Sequence, residues 1–158
     1  MRIRKTTPQD LPRVMAIYIH ARQFMADTGN PHQWTEGHPV QSIIEGDIAQ
    51  GLSYVCVNQE DHPLAVFFFD TRPDATYGKI EGAWISQGEY GVIHRIASDT
   101  KGAGTFCINW CYEQINNIRI DTHRDNAPMR QLLDKLGYQY CGIIWLDNGH
   151  ERMAYQKC

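Results

Sequence analysis

The sequence has no apolar run long enough to cross a membrane. Its longest wholly apolar stretch is Leu64–Phe69, far short of the roughly 20 residues that span a bilayer. The first residues, "MRIRKT", alternate like a strand, so we expect no signal peptide. These absences predict a cytoplasmic protein that does not bind membranes.

Blocks of like charge are also missing. The formal net charge is −3, and the acids and bases are scattered along the chain. Since binding to a phosphate backbone needs a concentrated basic surface, nucleic acid is not expected as a partner. The five cysteines form no CxxC pair and fall at no usual zinc spacing, which predicts reduced thiols and no metal site.

Strand and helix patterns alternate along the chain. With 158 residues, of which 42% are hydrophobic, the chain is expected to form one domain, 1–158, around one core. Thr7 is predicted to cap the first helix, and residues 71–89 are predicted to be partly helical or folded over a pocket. Long strands with helices between them predict an α/β or α+β structure, with a mixed sheet covered on both faces.

A glycine-rich turn, "DTKGAGT", joins the strand "YGVIHRIAS" to a helix. Glycines allow close approach of a bound group, and the unpaired N–H groups of a helix N-terminus bind anions such as phosphate. The turn matches neither a Walker A loop nor a dinucleotide fingerprint. By itself such a turn is more often an ordinary tight connection between a strand and a helix.

This turn, a second strand, and "DN" before a helix that ends in "LGY" resemble the GCN5-related N-acetyltransferase (GNAT) family. In that family a Q/R-x-x-G-x-G/A motif at the turn wraps the pyrophosphate of acetyl-CoA. Asn126, Gly137 and Tyr138 keep the family's spacing of eleven and twelve residues from Asn to Gly and an aromatic. The resemblance extends over nearly the whole chain, from "TPQDL" to "RMAYQK".

The resemblance implies an N-acetyltransferase that moves an acetyl group from acetyl-CoA to a primary amine of a small molecule, by direct attack in a ternary complex and without a metal. It also implies the GNAT fold: a central mixed, mostly antiparallel sheet of about six or seven strands with helices on both faces and a splayed strand pair at the cofactor site. The cofactor contacts that it implies are Ile96, Ala97, Ser98, Lys101, Gly102, Ala103, Gly104, Thr105 and Asn126.

Two departures from the family pattern stand out. If Gly102 and Gly104 are the motif glycines, Asp99 replaces the Gln/Arg; if Gly104 is the first of them, Lys101 fills that place and Phe106 replaces the final Gly/Ala. Many members also carry a Tyr seven residues after the motif Asn, as general acid toward the departing CoA thiolate. Leu133 stands there in this chain, so another acid or solvent must protonate the thiolate.

The reaction needs a base for the amine, and the candidates lie near the predicted strand pair. We favour His123 or Asp121, with His94 third, because histidine titrates in the required range. The alternative for Asp121 and His123 is simple pairing with Arg95 or Arg119. Trp34, Trp84 and Tyr90 are expected to line an acceptor pocket, although aromatic residues more often belong to the core.

Three other features of the function stay open. The missing Tyr and the imperfect turn also fit a domain that binds or senses acyl-CoA without catalysis, and a protein-modifying acetyltransferase is a third possibility. The acceptor could be a small amine, a polyamine or an amino-acid-like compound. A homodimer through an exposed strand edge is plausible.

Overall fold

The structure, a computed structural model, describes all 158 residues. Its α-helices are α1 (Leu11–Asp27), α2 (Gln41–Ala49), α3 (Ala103–Ile115) and α4 (Ala127–Lys135). Its strands are β1 (Arg2–Lys5), β2 (Ser53–Val57), β3 (Pro63–Asp70), β4 (Glu81–Gly82), β5 (Gly91–Ser98), β6 (Ile118–Thr122), β7 (Gln139–Trp145) and β8 (Glu151–Lys157).

The strands form one sheet in the order β1-β2-β3-β5-β6-β8-β7-β4. Every pair of neighbours is antiparallel except β5 and β6, which are parallel. The predicted mixed, mostly antiparallel sheet is therefore confirmed. It has eight strands rather than six or seven, because β4 adds a two-residue edge strand from the predicted loop region 71–89.

Helices cover both faces of the sheet, as predicted. α3 and α4 pack on one face against Ile93 of β5 and Ile120 of β6. α1 and α2 pack on the other face, where Val66 of β3 and Ala97 of β5 are buried. None of the helices combines the length and the apolar character needed to cross a bilayer.

The first helix begins in two steps. A 3-10 turn, Pro8–Asp10, precedes α1, and the Asp10 carboxylate accepts the N–H of Thr7 at 2.8 Å. Pro12 consequently lies in the first turn of α1. A proline there costs no hydrogen bond, since the first N–H groups of a helix have no partner within it.

The parallel pair β5 and β6 diverges after three residues. Gly91, Val92 and Ile93 pair with β6, and residues 94–98 have no strand neighbour on that side. The cause is a bulge in β5: Arg95 has φ of 49°, and the register against β3 shifts between Val66 and Phe68. A bulge bends its strand away from the regular ladder, which opens the predicted splay.

Candidate active site

A cavity of about 780 Å³ opens where β5 and β6 diverge. Its walls come from the loop between α1 and α2, the 3-10 turn after β3 (Ala75–Tyr77), the splayed strands, the start of α4 and the turn between β7 and β8. Ligand pockets are usually lined by apolar side chains with a few polar groups, whereas several charged side chains line this cavity. They include Glu36, Asp74, Asp121, Asp147, His94, Arg95 and Arg152.

His94 on β5 is held by a carboxylate from another part of the chain. Its Nε2 lies 2.6 Å from Asp74 Oδ2. Burial opposes the ionisation of Asp74, but hydrogen bonds from His94 and Thr76 outweigh it and bring the Asp74 pKa to about 2. Because an ionised carboxylate can only accept hydrogen bonds, a neutral His94 carries its proton on Nε2 and leaves the Nδ1 lone pair available.

A second carboxylate faces the other nitrogen of His94. Asp121 Oδ2 lies 3.9 Å from Nδ1 and accepts the Tyr77 hydroxyl at 2.6 Å. Burial and the neighbouring Asp121 raise the pKa of Tyr77 well above its ordinary value, so Tyr77 acts as a neutral donor. The structure therefore brings together two of the predicted catalytic residues, His94 and Asp121.

The third predicted catalytic residue, His123, does not join them. β6 ends at Thr122, and the His123 side chain turns back so that Nδ1 accepts the Asp125 N–H at 3.0 Å. His123 does not line the cavity. Burial, with help from Arg152, lowers its pKa. Of these two histidines, only His94 lines the cavity.

The alternative pairings with Arg95 and Arg119 are not formed. Arg95 donates to both carboxylate oxygens of Asp47, at 3.0 and 2.9 Å. The Arg119 guanidinium lies over the rings of Trp84 and Tyr90, 4.3 and 4.0 Å from their centroids. Asp121 is therefore available to a ligand in the cavity.

Of the three predicted pocket aromatics, only Trp34 lines the cavity. The prediction that Trp84 lines the pocket is wrong. Its ring is buried beneath Arg119, and its Nε1 donates to the Tyr77 carbonyl at 3.0 Å. Tyr90 also lies outside the cavity, where its hydroxyl accepts the Asp74 N–H at 3.0 Å. Trp84 and Tyr90 thus form hydrogen bonds with the backbone of Tyr77 and Asp74. A polar ring that is buried usually has such a partner.

The glycine turn has room and donors for an anion. Gly102 is the N-cap of α3 with φ of 84°, and a side chain added at Gly102 or Gly104 would meet no atom within 4 Å. The N–H groups of Gly102, Gly104 and Thr105 have no acceptor within the chain. This arrangement fits a pyrophosphate, which needs backbone donors and close approach.

The two possible registers of the glycine motif differ in the residue at its last position, Gly104 or Phe106. Phe106 lies inside α3 and packs against the core, and the left-handed turn falls at Gly102. Gly102 and Gly104 therefore lie at the left-handed turn and in the first turn of α3, where backbone donors are free in either register. Asp99 pairs with Arg13 at 2.8 Å and accepts the Thr100 hydroxyl of the turn at 3.1 Å.

The other predicted cofactor contacts have mixed placements. Ile96 lines the cavity, and Lys101 is exposed at the turn. The side chains of Ala97 and Ala103 are buried, so only their backbones can serve a ligand. Ser98 Oγ accepts the Thr100 N–H at 3.1 Å and shapes the turn.

Asn126 lines the cavity and anchors a wall of it. Its Oδ1 accepts the Met129 N–H at 3.2 Å, which caps α4, and its Nδ2 donates to Gln33 Oε1 at 2.9 Å. Gln33 Oε1 also accepts from Asn30 at 2.9 Å. The loop between α1 and α2 is thereby fixed to the end of β6.

Asp74, Tyr77, Gln33 and Arg152 were missed by the sequence reasoning. Asp74 had one local signal, since "DAT" permits an Asp to cap a short turn, and it does accept the Thr76 N–H at 2.9 Å. That signal predicts a turn and nothing about His94. The other three residues had none, because their partners are remote in sequence.

No protein-family model matches the chain, and no curated protein sequence matches it. Solved structures do match. A GNAT-family acetyltransferase from Streptococcus agalactiae is 32% identical, with a TM-score of 0.84, over 99% of this chain and 94% of that one. A GNAT-family acetyltransferase from Listeria monocytogenes is 19% identical, with a TM-score of 0.71, over 99% of this chain and 93% of that one.

A more distant match shares the fold alone. It is a ribosomal-protein-alanine N-acetyltransferase from Brucella melitensis, 17% identical with a TM-score of 0.62, over 99% of both chains.

Proposed function

The chain belongs to the GNAT family of acetyltransferases, and on that premise we propose that it moves an acetyl group from acetyl-CoA to a primary amine of a small molecule. The amine attacks directly while donor and acceptor are bound together. When bound, acetyl-CoA supplies the acetyl group as a thioester.

The observation that carries this proposal is the placement of His94. Asp74 fixes the ring at 2.6 Å, and the ring lies in the cavity beside the splayed strands. An amine is protonated near neutral pH and must lose a proton before it attacks. His94 Nδ1 takes that proton, while Asp74 stabilises the imidazolium that forms.

Asp121 holds the amine before the proton leaves. Its carboxylate, 3.9 Å from Nδ1, attracts an ammonium group toward the base. The Tyr77 hydroxyl fixes the orientation of that carboxylate at 2.6 Å. Positioned groups of this kind lower the barrier by pre-ordering the reactants.

The splayed edge of β5 and the glycine turn bind the donor. Backbone N–H groups within residues 94–98 would stabilise the negative charge that develops on the carbonyl oxygen, because that edge has no strand neighbour. The N–H groups of Gly102, Gly104 and Thr105 would hold the pyrophosphate, and Asn126 with Ile96 would flank the arm that joins these two regions.

One observation favours a second candidate, a domain that binds acyl-CoA without catalysis. Leu133, at the position of the family's acidic Tyr, is fully buried in the core. It cannot donate a proton, so another acid or solvent must supply one to the departing thiolate. A protein that had lost catalysis would tolerate this change as well.

A combined binding and turnover experiment separates the two candidates. Acetyl-CoA is titrated calorimetrically into the protein, and thiol release is then followed with a panel of primary amines. Binding with amine-dependent thiol release supports the transferase, whereas binding with release at background supports the sensor. No binding at all would overturn both.

The thiol state bears on where the protein works. All five cysteines are unpaired. Free thiols support the proposal that it acts in the reducing cytoplasm.

A further inference from the structure

Arg152 on β8 is a buried cation in the cavity wall. Only 6% of its surface is exposed, and it lines the cavity together with Asp121 and His94. Its neighbours Met153 and Tyr155 belong to the face covered by α3 and α4. Because side chains alternate along a strand, Arg152 points to the opposite face, where the acceptor must enter.

The hydrogen bonds of Arg152 leave much of its guanidinium unused. It donates to two carbonyl oxygens, that of Glu151 at 2.9 Å and that of Gln33 at 3.1 Å. A guanidinium has five N–H donors. No carboxylate lies within ion-pairing distance of it.

The other arginine of the cavity differs in this respect. Arg95 is bound through two hydrogen bonds to Asp47, although burial raises the Asp47 pKa against the attraction of Arg95. Arg152 has no such partner, and burial lowers its pKa while Asp121 partly offsets the effect. A buried charge without a partner costs free energy, so the site would be stabilised by an anion.

We propose that the acceptor is an amino-acid-like zwitterion, whose carboxylate binds Arg152 while its ammonium group binds Asp121 and His94. This inference rests on the proposed function. A polyamine would instead bring a second positive charge toward Arg152 and meet repulsion. Arg152 is the single permanent cation of the cavity without a carboxylate partner, and this matches one negative charge rather than the two of a phosphate.

The first test uses the native protein and matched pairs of acceptors. Thiol release at saturating acetyl-CoA is measured with the common L-amino acids, with β-alanine, with the amide of each, and with putrescine. For the accepted compound, we expect kcat/KM to be at least about tenfold higher for the acid than for its amide, the worth of a charged hydrogen bond. Amidation lowers the pKa of the amine, so at neutral pH a larger fraction of the amide than of the acid is unprotonated. A preference for the acid therefore cannot arise from a larger supply of free amine.

The second test uses Arg152→Gln. We expect it to raise KM for the acid about 10- to 100-fold with a small change in kcat, and to lower kcat/KM for the amide much less. Arg152→Lys should restore part of the preference for the acid over its amide, because the positive charge is kept. Arg119→Gln is the matched control: Arg119 is another buried arginine of this sheet, but it lies outside the cavity, so the acid-to-amide ratio should not change.

The outcomes distinguish this inference from the function on which it rests. Turnover of amides or putrescine as fast as of the acids would overturn the inference and leave the transferase standing. Acetyl-CoA binding without turnover of any amine would overturn both. Should Arg152→Gln fail to fold, the comparison of acids with amides on the native protein still decides.

Discussion

The proposed role of His94 depends on two carboxylates that lie outside its own strand. Asp74 fixes the proton on Nε2, and Asp121 faces Nδ1. The pattern of β5 gave no reason to prefer His94 to His123, since both are histidines close to the strand pair. The choice depended on where β6 ends, because one more strand residue would have brought His123 alongside Asp121.

Replacing His94 should therefore damage catalysis more than binding. We expect His94→Ala to lower kcat by about 10²- to 10⁴-fold, the usual contribution of a positioned base, with acetyl-CoA affinity nearly unchanged. His123→Ala is the control and should keep its kcat, because His123 lies outside the cavity. Steady-state thiol release measures both, and a larger loss in the His123 variant would reverse the assignment.

Asp74 should also make stability depend on pH. Its pKa falls from 3.8 in the unfolded chain to about 2 in the folded protein. A depressed acid pKa stabilises the fold above the unfolded value, and this contribution is lost as pH falls through 3.8 toward 2. The ionised carboxylate of Asp74 thereby adds on the order of 2 kcal/mol to the free energy of unfolding.

Asp74→Asn tests this dependence. The free energy of unfolding, measured in urea at several pH values, should be lower in the variant at neutral pH, and the gap should narrow as the pH falls below about 4. An equal gap at every pH would mean that the ionised carboxylate of Asp74 contributes nothing.

At the scale of elements, the turn into α3 was the best predicted part of the site. Glycines, a strand before them and a helix after them are local signals, and the structure has the N-cap at Gly102. The bulge at Arg95 could not be predicted in this way. It needs a positive φ at a non-glycine residue, which the fold imposes against the residue's own preference.

A bulky side chain at the turn should block the donor site without disturbing the fold. A Cβ atom added at Gly104 would meet no atom within 4 Å, so Gly104→Trp should melt near the native temperature and yet lose acetyl-CoA binding. Gly46→Trp is the matched control, since Gly46 is another helical glycine with open space around it. Both variants are titrated calorimetrically with acetyl-CoA, and only the Gly46 variant should bind it. If the Gly104 variant binds acetyl-CoA with native affinity, the donor site lies elsewhere.

At the scale of the whole molecule, the donor should stabilise the folded state. A ligand at about 100 times its Kd adds about 2.7 kcal/mol to the free energy of unfolding. For a chain of this length, that corresponds to a rise in melting temperature of about 5–10 °C. Thermal melts with and without acetyl-CoA measure it; the Gly104→Trp variant should show no rise, and an unchanged native melt would contradict donor binding.

The sequence by itself determined the order of helices and strands, the covered sheet, the glycine turn and the family resemblance. These depend on apolar periodicity, caps and turn residues, which act over a few neighbouring positions. The 3-10 turn before α1 is a refinement of these same local signals, whereas the two-residue strand β4 forms only by pairing with β7.

Only the tertiary structure decided which side chains meet. His94 and Asp74 lie 20 residues apart, Tyr77 and Asp121 lie 44 apart, and Arg152 binds a carbonyl 119 residues away. No local pattern encodes such pairs, because they form only when the bulge in β5, the end of β6 and the anchored loop have been placed together. The chemistry of the cavity is set by those long-range contacts.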